Sequence, residues 1–424
     1  MARVVPVRGI RFDPATVHLG GVLAPPYDVI DEATRDALYA RDLRNIVRVD
    51  FGADMPDDVP GTSDRYTRAA AHLESWLELG VLVRDAAPSF YVTQHHFRDP
   101  GGEERVRTGL VGAVRAAPWD ASDLRPHEHT LRGPKQDRLA LMRATRTQTS
   151  PVFAIWQDAP ALAAILERVT ATPAVAGGRT DGEMGSEKHL LWVVSDASDT
   201  AAIAAALEPA RLYIADGHHR YETAAAYAQE RRAAGDGPEA DSQLALVYLA
   251  DAADPGISLL PTHRLVRPRP GVAYSRDDLW MRLDDAWDLV ESGSLATAAT
   301  AAGAMRAQSH AFAMRSSDGS AVLSRPRTPS GSPAHDLDVS VLEREVLAPA
   351  GLDEAAIREG ALAYTRSVDE VERAVAAREA VLGFAVAPAT TAEVTAVADA
   401  GEVMPQKSTY FYPKVPTGLV LLPL

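Results

Sequence analysis

The residues from Leu212 to Tyr221, LYIADGHHRY, place a carboxylate, two imidazoles and a guanidinium around one glycine, directly after an apolar run. The β-prone stretch ending at Asp216 predicts a strand, and the residues after Gly217 predict the first turn of a helix. Glycine permits a tight turn and lets a ligand approach the backbone. The first N–H groups of a helix have no helical partners and carry a partial positive charge. An anion there would also meet His218, His219 and Arg220, and arginine can grip a phosphate through two parallel hydrogen bonds. Asp216 stands at the strand's C-terminal end, where α/β proteins put ligands, and is a candidate for holding Mg²⁺ or accepting a proton. Adjacent histidines do not share one zinc easily, because two ligands on a helix need a spacing of three or four. Phosphate binding by Gly217, His218, His219 and Arg220 is the expected chemistry.

Three further clusters are candidates to join this site. Arg125, His127, Glu128 and Lys135 bring both signs of charge to a loop and a helix start. A loop glutamate beside a phosphate is a natural base for a hydroxyl nucleophile, so Glu128 is the expected base, with Arg125 and His127 as substrate contacts. Lys407, Ser408, Thr409 and Lys414 surround three aromatics near the C-terminal end, and Lys407 is the expected phosphate contact there. Thr262, His263 and Arg264 form a weaker group, from which Arg264 is taken as a further substrate contact. The rigid stretch Ala24 to Asp28 (APPYD) has the composition of a loop that lines a pocket.

The elements that must position these residues alternate helix and strand. Asp31 is placed to cap a helix through Tyr39, and Asn45 to Phe51 read as a strand. A helix from near Ser63 carries Tyr66, Ala69, Leu73 and Trp76 at helical spacing and stops at Gly80. Ser89 to Phe97 and Val106 to Val114 read as a hairpin about Asp99 to Gly102, with His95 and His96 on opposite faces. A helix over Lys135 to Thr145, a buried strand over Pro151 to Trp156, two alanine-rich helices flanking a strand over His189 to Val194, and strands over Leu244 to Leu249 and Leu259 to Val266 follow. The Ser/Pro/Gly-rich stretch 316–336 reads as a loop or linker. The expected regions are therefore an N-terminal α/β region over 1–120, a core over 121–315, and a C-terminal α/β region over 337–424.

Bulk properties exclude several classes. The formal net charge of −15 argues against a protein that relies on broad attraction to nucleic acid. The chain has no cysteine, so disulfides, thiol catalysis and cysteine-ligated zinc are excluded. No apolar run is long enough for a membrane span and the N-terminal residues lack the core of a signal peptide, so a cytoplasmic protein is expected. A homo-oligomer is compatible with all of this.

Seven segments resemble a prokaryotic domain-of-unknown-function family numbered 1015: APPYDVI (24–30), NIVR (45–48), Pro-His-Glu-x-Thr (126–130), Lys-x-Asp-Arg-Leu (135–139), SPVF (150–153), ADGHHRYETA (215–224) and the 404–414 segment. The pairing of Pro-His-Glu with Asp-Gly-His-His-Arg also resembles the free-serine kinases of the ParB/sulfiredoxin-like superfamily. That resemblance implies a mixed α/β fold with a ParB/sulfiredoxin-like nucleotide-binding core, and phosphorylation of free L-serine to O-phosphoserine by ATP or ADP with Mg²⁺. By motif, Glu128 becomes the base, and Asp216, His218, His219 and Arg220 the phosphate and magnesium site. An insertion around residues 160–200 is then required. No Walker A sequence is present. A nucleotide-binding switch without transfer chemistry is the competing expectation; a DNA-binding relative is disfavoured by the acidic balance.

Overall fold

The computed structural model describes residues 3–128, 133–269, 276–283 and 285–424. His129 and Thr130 of the Pro-His-Glu segment lie outside the described residues. The chain forms two compact units. The first gathers Met1–Pro126, Thr130–Ser258 and Pro413–Leu424; the second gathers His127–His129 and Leu259–Tyr412.

In the first unit, Asp31 caps α1 (Glu32–Arg41) by accepting the Thr34 N–H at 2.8 Å, as its position predicts. Residues 45–51 do not form the expected strand; they hold a short helix, α2 (Val47–Asp50). The reason lies in buried Asn45. Its amide donates to the carbonyls of Gly21 (2.8 Å) and Leu23 (3.0 Å), and its own carbonyl accepts the Val47 N–H at 3.0 Å. The long-range bonds to Gly21 and Leu23 and the local bond to Val47 settle the backbone in a turn, and the apolar residues that suggest a strand are buried by the helix instead. The next helix, α3 (Arg65–Glu78), opens with an Asp64–Thr67 capping box and ends before Gly80, whose φ is +69°.

The main sheet of this unit has eight strands, and helices pack against it. In chain order they are β1 (Phe90–Arg98), β2 (Glu104–Arg115), β3 (Leu124–Arg125), α4 (Gly133–Thr145), β4 (Val152–Gln157), α5 (Pro160–Thr170), β5 (Ala176–Gly182), β6 (Gly185–Val194), α6 (Ala197–Leu207), β7 (Arg211–Asp216), α7 (His218–Ala233) and β8 (Leu244–Asp251). The strand order is β3–β7–β4–β8–β2–β1–β6–β5. β7 runs parallel to β3 and antiparallel to β4, β4 and β8 are parallel, and the other pairings are antiparallel. The protein is therefore mixed α/β. The expected boundary at 120 does not end this unit, because β2 pairs with β8 from Arg115↔Leu244 to Gly109↔Ala250 and so joins both sides of that point. The core packs Val92, Leu110, Ile155's neighbours Ala154 and Trp156, Leu212, Ile214 and Val247 against Leu162, Leu207 and Tyr221 of the covering helices.

The second unit holds an antiparallel sheet of β9 (His263–Val266), β10 (Asp288–Ser292), β11 (Ser309–Ser316), β12 (Gly319–Pro326), β13 (Leu362–Thr365) and β14 (Leu382–Ala385), in the order β10–β12–β11–β14–β9–β13. Helices α8 (Leu295–Met305) and α9 (Val368–Ala376) lend it apolar side chains, among them Leu295, Ala298 and Val371. The expected 316–336 linker is half strand. Ser316 Oγ accepts the Asp318 N–H at 3.1 Å and Gly319 takes φ +136°, so the polar residues make a hairpin turn and Ala321 to Leu323 enter the sheet.

The face of the first sheet carries a buried polar row. His95 and His96 do point oppositely, and His95 is buried. Arg107 Nη2 donates to His95 Nδ1 at 3.4 Å, and His95 Nε2 lies 2.7 Å from Glu187 Oε2. Arginine only donates, so the His95 proton sits on Nε2 and the imidazole is neutral. Thr180 Oγ1 engages His189 Nε2 at 2.8 Å. Burial, helped by the Arg107 charge, pushes both His95 and His189 well below the usual histidine range. The unfolded chain therefore takes up protons that the folded one refuses as pH drops below about 6.5, the ordinary histidine value. The stability these two histidines contribute is fully present above that pH and is lost progressively as pH falls below it. Urea midpoints at pH 7.5 and 5.5 should fall for the wild type, and His189→Gln should show a shallower fall between the same two pH values.

Candidate active site

β7 reaches Asp216 through a register shift between Ile214 and Asp216, which sets the aspartate opposite Phe153 at the start of β4. Gly217 follows with φ +93°, a left-handed conformation, and serves as N-cap of α7. A Cβ there would stand 2.8 Å from Arg220 Nε, so glycine is demanded by conformation and by space. Arg220 then folds back: its Nη2 pairs with Asp216 Oδ2 and its Nη1 donates to the Pro151 carbonyl. Lys414 pairs with the other carboxylate oxygen, Nζ to Oδ1 at 2.5 Å. Burial alone raises the Asp216 carboxyl, but Lys414, Arg220 and His218 together override it and hold the group below the usual carboxylate range.

Both oxygens of Asp216 thus serve cations. Magnesium at Asp216 would have to displace Lys414 or Arg220, and a proton would have to compete with both. The arrangement suits a positioning carboxylate that aims two cations at the start of α7, where the helix itself favours an anion. His218 is buried, with its ring 6.3 Å from that of Trp119. Trp119 stacks on Tyr221 at 4.6 Å and donates Nε1 to Glu222 at 2.9 Å. Glu222 also pairs with Lys135, which ties α4 to α7.

The APPYD loop joins this unit's site. Tyr27, Asp28 and Asp50 all act electrostatically on Arg220. Arg138 lies over the Tyr27 ring at 4.2 Å and donates to the Asp50 carbonyl at 2.6 Å. Burial pushes the Tyr27 hydroxyl up to about 12, against the opposing pull of Arg220, so it stays protonated and able to donate. Asp50 Oδ1 accepts from Thr149 Oγ1 at 2.6 Å and from Ser150 Oγ at 3.3 Å. Ser150 in turn meets Thr417 Oγ1 at 2.5 Å.

The structure places the expected site residues in two sets. Asp216, Gly217, His218, His219 and Arg220 come together as read from the sequence. Arg125 ends β3, pairs in register with Tyr213 and lies 5.8 Å over its ring, an exposed edge position. His127, Glu128, Arg264 and Lys407 belong to the second unit. There His127 Nε2 meets Thr409 Oγ1 at 3.1 Å, and Thr409 donates to Glu128 Oε1 at 3.3 Å. Arg264 is fully buried, pairs with Glu343 at 3.2 Å and sits 5.5 Å over the Tyr364 ring, which is the setting of a structural cation. Lys407 is exposed at φ +58°. Of the two lysines in the 404–414 segment, it is Lys414 that pairs with Asp216. Asp50 and Arg138 were not singled out; their signal was their place in or beside the NIVR and Lys-x-Asp-Arg-Leu segments.

Among the described residues, one trio could ligate a metal: His95, Glu187 and His189, whose ligand atoms lie within 4.8 Å of one another. Arg107 engages His95 Nδ1 there and brings a positive charge, so the trio is satisfied as a hydrogen-bonded network and fits a cation poorly.

The chain belongs to the family described as "Protein of unknown function (DUF1015)", whose model matches residues 4–340. None of the curated proteins compared with it matches. Among solved structures it is similar to a conserved hypothetical protein from Pyrococcus furiosus, at 14% identity over 70% of this chain and 90% of that one, with a TM-score of 0.34. It is similar to a free serine kinase in complex with AMP, at 15% identity over 70% and 89% of the two chains, with a TM-score of 0.36. A third is SbnI with C-terminal truncation from Staphylococcus aureus, at 11% identity over 72% and 85%, with a TM-score of 0.33. At these values the likenesses carry no statement about activity, which has to be argued from the site.

Gly217→Ala should destabilise the fold by about 1–3 kcal/mol, the usual cost of forcing a non-glycine residue into such a conformation. Urea unfolding measures it; an unchanged midpoint would contradict the role given to this turn.

Proposed function

We propose that the Asp216–Arg220 turn binds the terminal phosphate of a nucleotide. On this reading the protein is a nucleotide-dependent phosphotransferase of a small hydroxyl metabolite, with free L-serine the favoured acceptor and ATP or ADP the donor. The observation that carries the reading is the pair of cations, Lys414 and Arg220, fixed on one part-buried carboxylate at the N-terminus of a 16-residue helix. Such a helix start offers backbone donors and a partial positive charge to phosphate. Two organised cations add charge-assisted hydrogen bonds where the charge of a transferring phosphoryl group would spread. Phosphoryl transfer asks the protein mainly for positioning and electrostatic stabilisation, which this residue set supplies. Magnesium enters this account only as the counterion of the nucleotide, because Asp216 is taken by Lys414 and Arg220. The ParB/sulfiredoxin-like core and the serine acceptor come from the resemblance of the motifs.

The direct test incubates purified protein with L-serine, Mg²⁺ and either ATP or ADP and looks for O-phosphoserine. Product with one nucleotide supports the reading. Nucleotide binding without product would leave a binding protein, and neither would sink both. Lys414→Met should weaken ADP binding by roughly 10- to 100-fold, the worth of one charge-assisted hydrogen bond, as read by calorimetric titration with the fold checked by circular dichroism.

A further inference from the structure

Asp50 is a buried carboxylate, 2% exposed, that acts electrostatically on the Arg220 guanidinium. Its Oδ1 is held by Thr149 and Ser150, but among the described residues its Oδ2 has no hydrogen-bond partner. A buried carboxylate oxygen left without a donor costs free energy, so such an atom calls for a ligand or a water. A cavity of about 30 Å³ lies against it, lined by Tyr27, Asp50, Arg138, Thr149, Ser150 and Arg220. That volume admits one or two water-sized groups and no more. Asp50, Arg138 and Arg220, each more than nine-tenths buried, form the charged part of its wall, and Leu141 and Met142 line it as well.

Most of the polar wall comes from segments that the phosphate reading leaves unassigned. Tyr27 is from the APPYD loop, Asp50 ends the short helix that begins within NIVR, Arg138 is from Lys-x-Asp-Arg-Leu and Ser150 from SPVF, while Arg220 comes from the 216–220 turn itself. Arg220 faces two ways: it grips Asp216 and the Pro151 carbonyl, and it also closes the cavity. A group seated against Asp50 is therefore one guanidinium away from the carboxylate that organises the proposed phosphate site.

We propose that this cavity seats the hydroxyl of the phosphoryl acceptor and that Asp50 Oδ2 receives its hydrogen bond and then its proton. The proposal rests on the phosphotransfer reading and names its base. In the step, the acceptor O–H proton passes to Asp50 while the oxygen bonds to the terminal phosphorus of the nucleoside di- or triphosphate. The bond from that phosphorus to the bridging oxygen breaks, and the nucleotide leaves with the electron pair, one phosphate shorter. Arg220 stands where it can stabilise the phosphoryl group in transit. This places the base on Asp50, in the same unit as Asp216, where the motif resemblance implied Glu128.

The experiment compares wild type, Asp50→Asn, Asp50→Glu and Glu128→Gln by two readouts: ADP affinity by calorimetry and O-phosphoserine formation with Mg²⁺ and nucleotide. Asp50→Asn should bind ADP within about threefold of wild type and lose turnover by roughly 10²- to 10⁴-fold, the usual worth of a positioned base. Asp50→Glu keeps the charge but fills the cavity with a methylene, and it should also lose turnover with nucleotide binding intact; it stands in if the asparagine variant fails to fold. Glu128→Gln should retain turnover within an order of magnitude. Near-normal turnover in both Asp50 variants, or loss confined to Glu128→Gln, would overturn the assignment and leave the cavity to a structural water. A wild type that binds ADP and transfers phosphate while the Asp50 variants lose only transfer supports it. A wild type that binds no nucleotide would remove the phosphate reading itself, and the assignment with it.

Discussion

The arrangement depends on one carboxylate. Asp216 is buried enough to be costly unless it is paired, and it is paired twice, by Arg220 and by Lys414. Each partner fixes another part of the chain. Arg220 takes the Pro151 carbonyl ahead of β4. The residue before Lys414 gives its carbonyl to buried Arg107 on β2 at 2.8 Å. Three stretches far apart in sequence, around 151, 216–220 and 413–414, are thereby held to one point at the end of a strand. Removing the aspartate would leave two cations facing each other at a helix start that already repels them, so the charge balance and the local fold stand or fall together.

The Asp216–Arg220 turn is legible because its physics is local. A strand ending at Asp-Gly, with glycine the only residue that fits φ +93° against Arg220, announces itself in five consecutive residues. The caps at Asp31 and the β1–β2 hairpin were legible for the same reason. Residues 45–51 were not, because periodicity cannot show that Asn45 will spend its amide on Gly21 and Leu23, more than twenty positions back. Composition alone does not separate the two fates of 316–336, since serine and glycine serve a hairpin turn as readily as a linker.

The lysine that pairs with Asp216 was the harder choice. The 404–414 segment offers two, and sequence chemistry does not separate them. In the structure Lys407 is exposed, whereas Lys414 belongs to the Pro413–Leu424 stretch of the first unit. Asp50 was invisible for a related reason. It looks like the polar end of an apolar run, and only burial, with one oxygen held and the other against a cavity, gives it a meaning. In a chain with a net charge of −15, Asp216 keeps two cations, Arg220 and Lys414, in place at one helix start.

The most direct measurement is a crystal structure of the protein with ADP and Mg²⁺. The terminal phosphate should lie on the first turn of α7, within about 3 Å of Lys414 Nζ and of backbone nitrogens between His218 and Arg220. A nucleotide bound with its phosphates elsewhere, leaving the Asp216–Arg220–Lys414 cluster uncontacted, would contradict it.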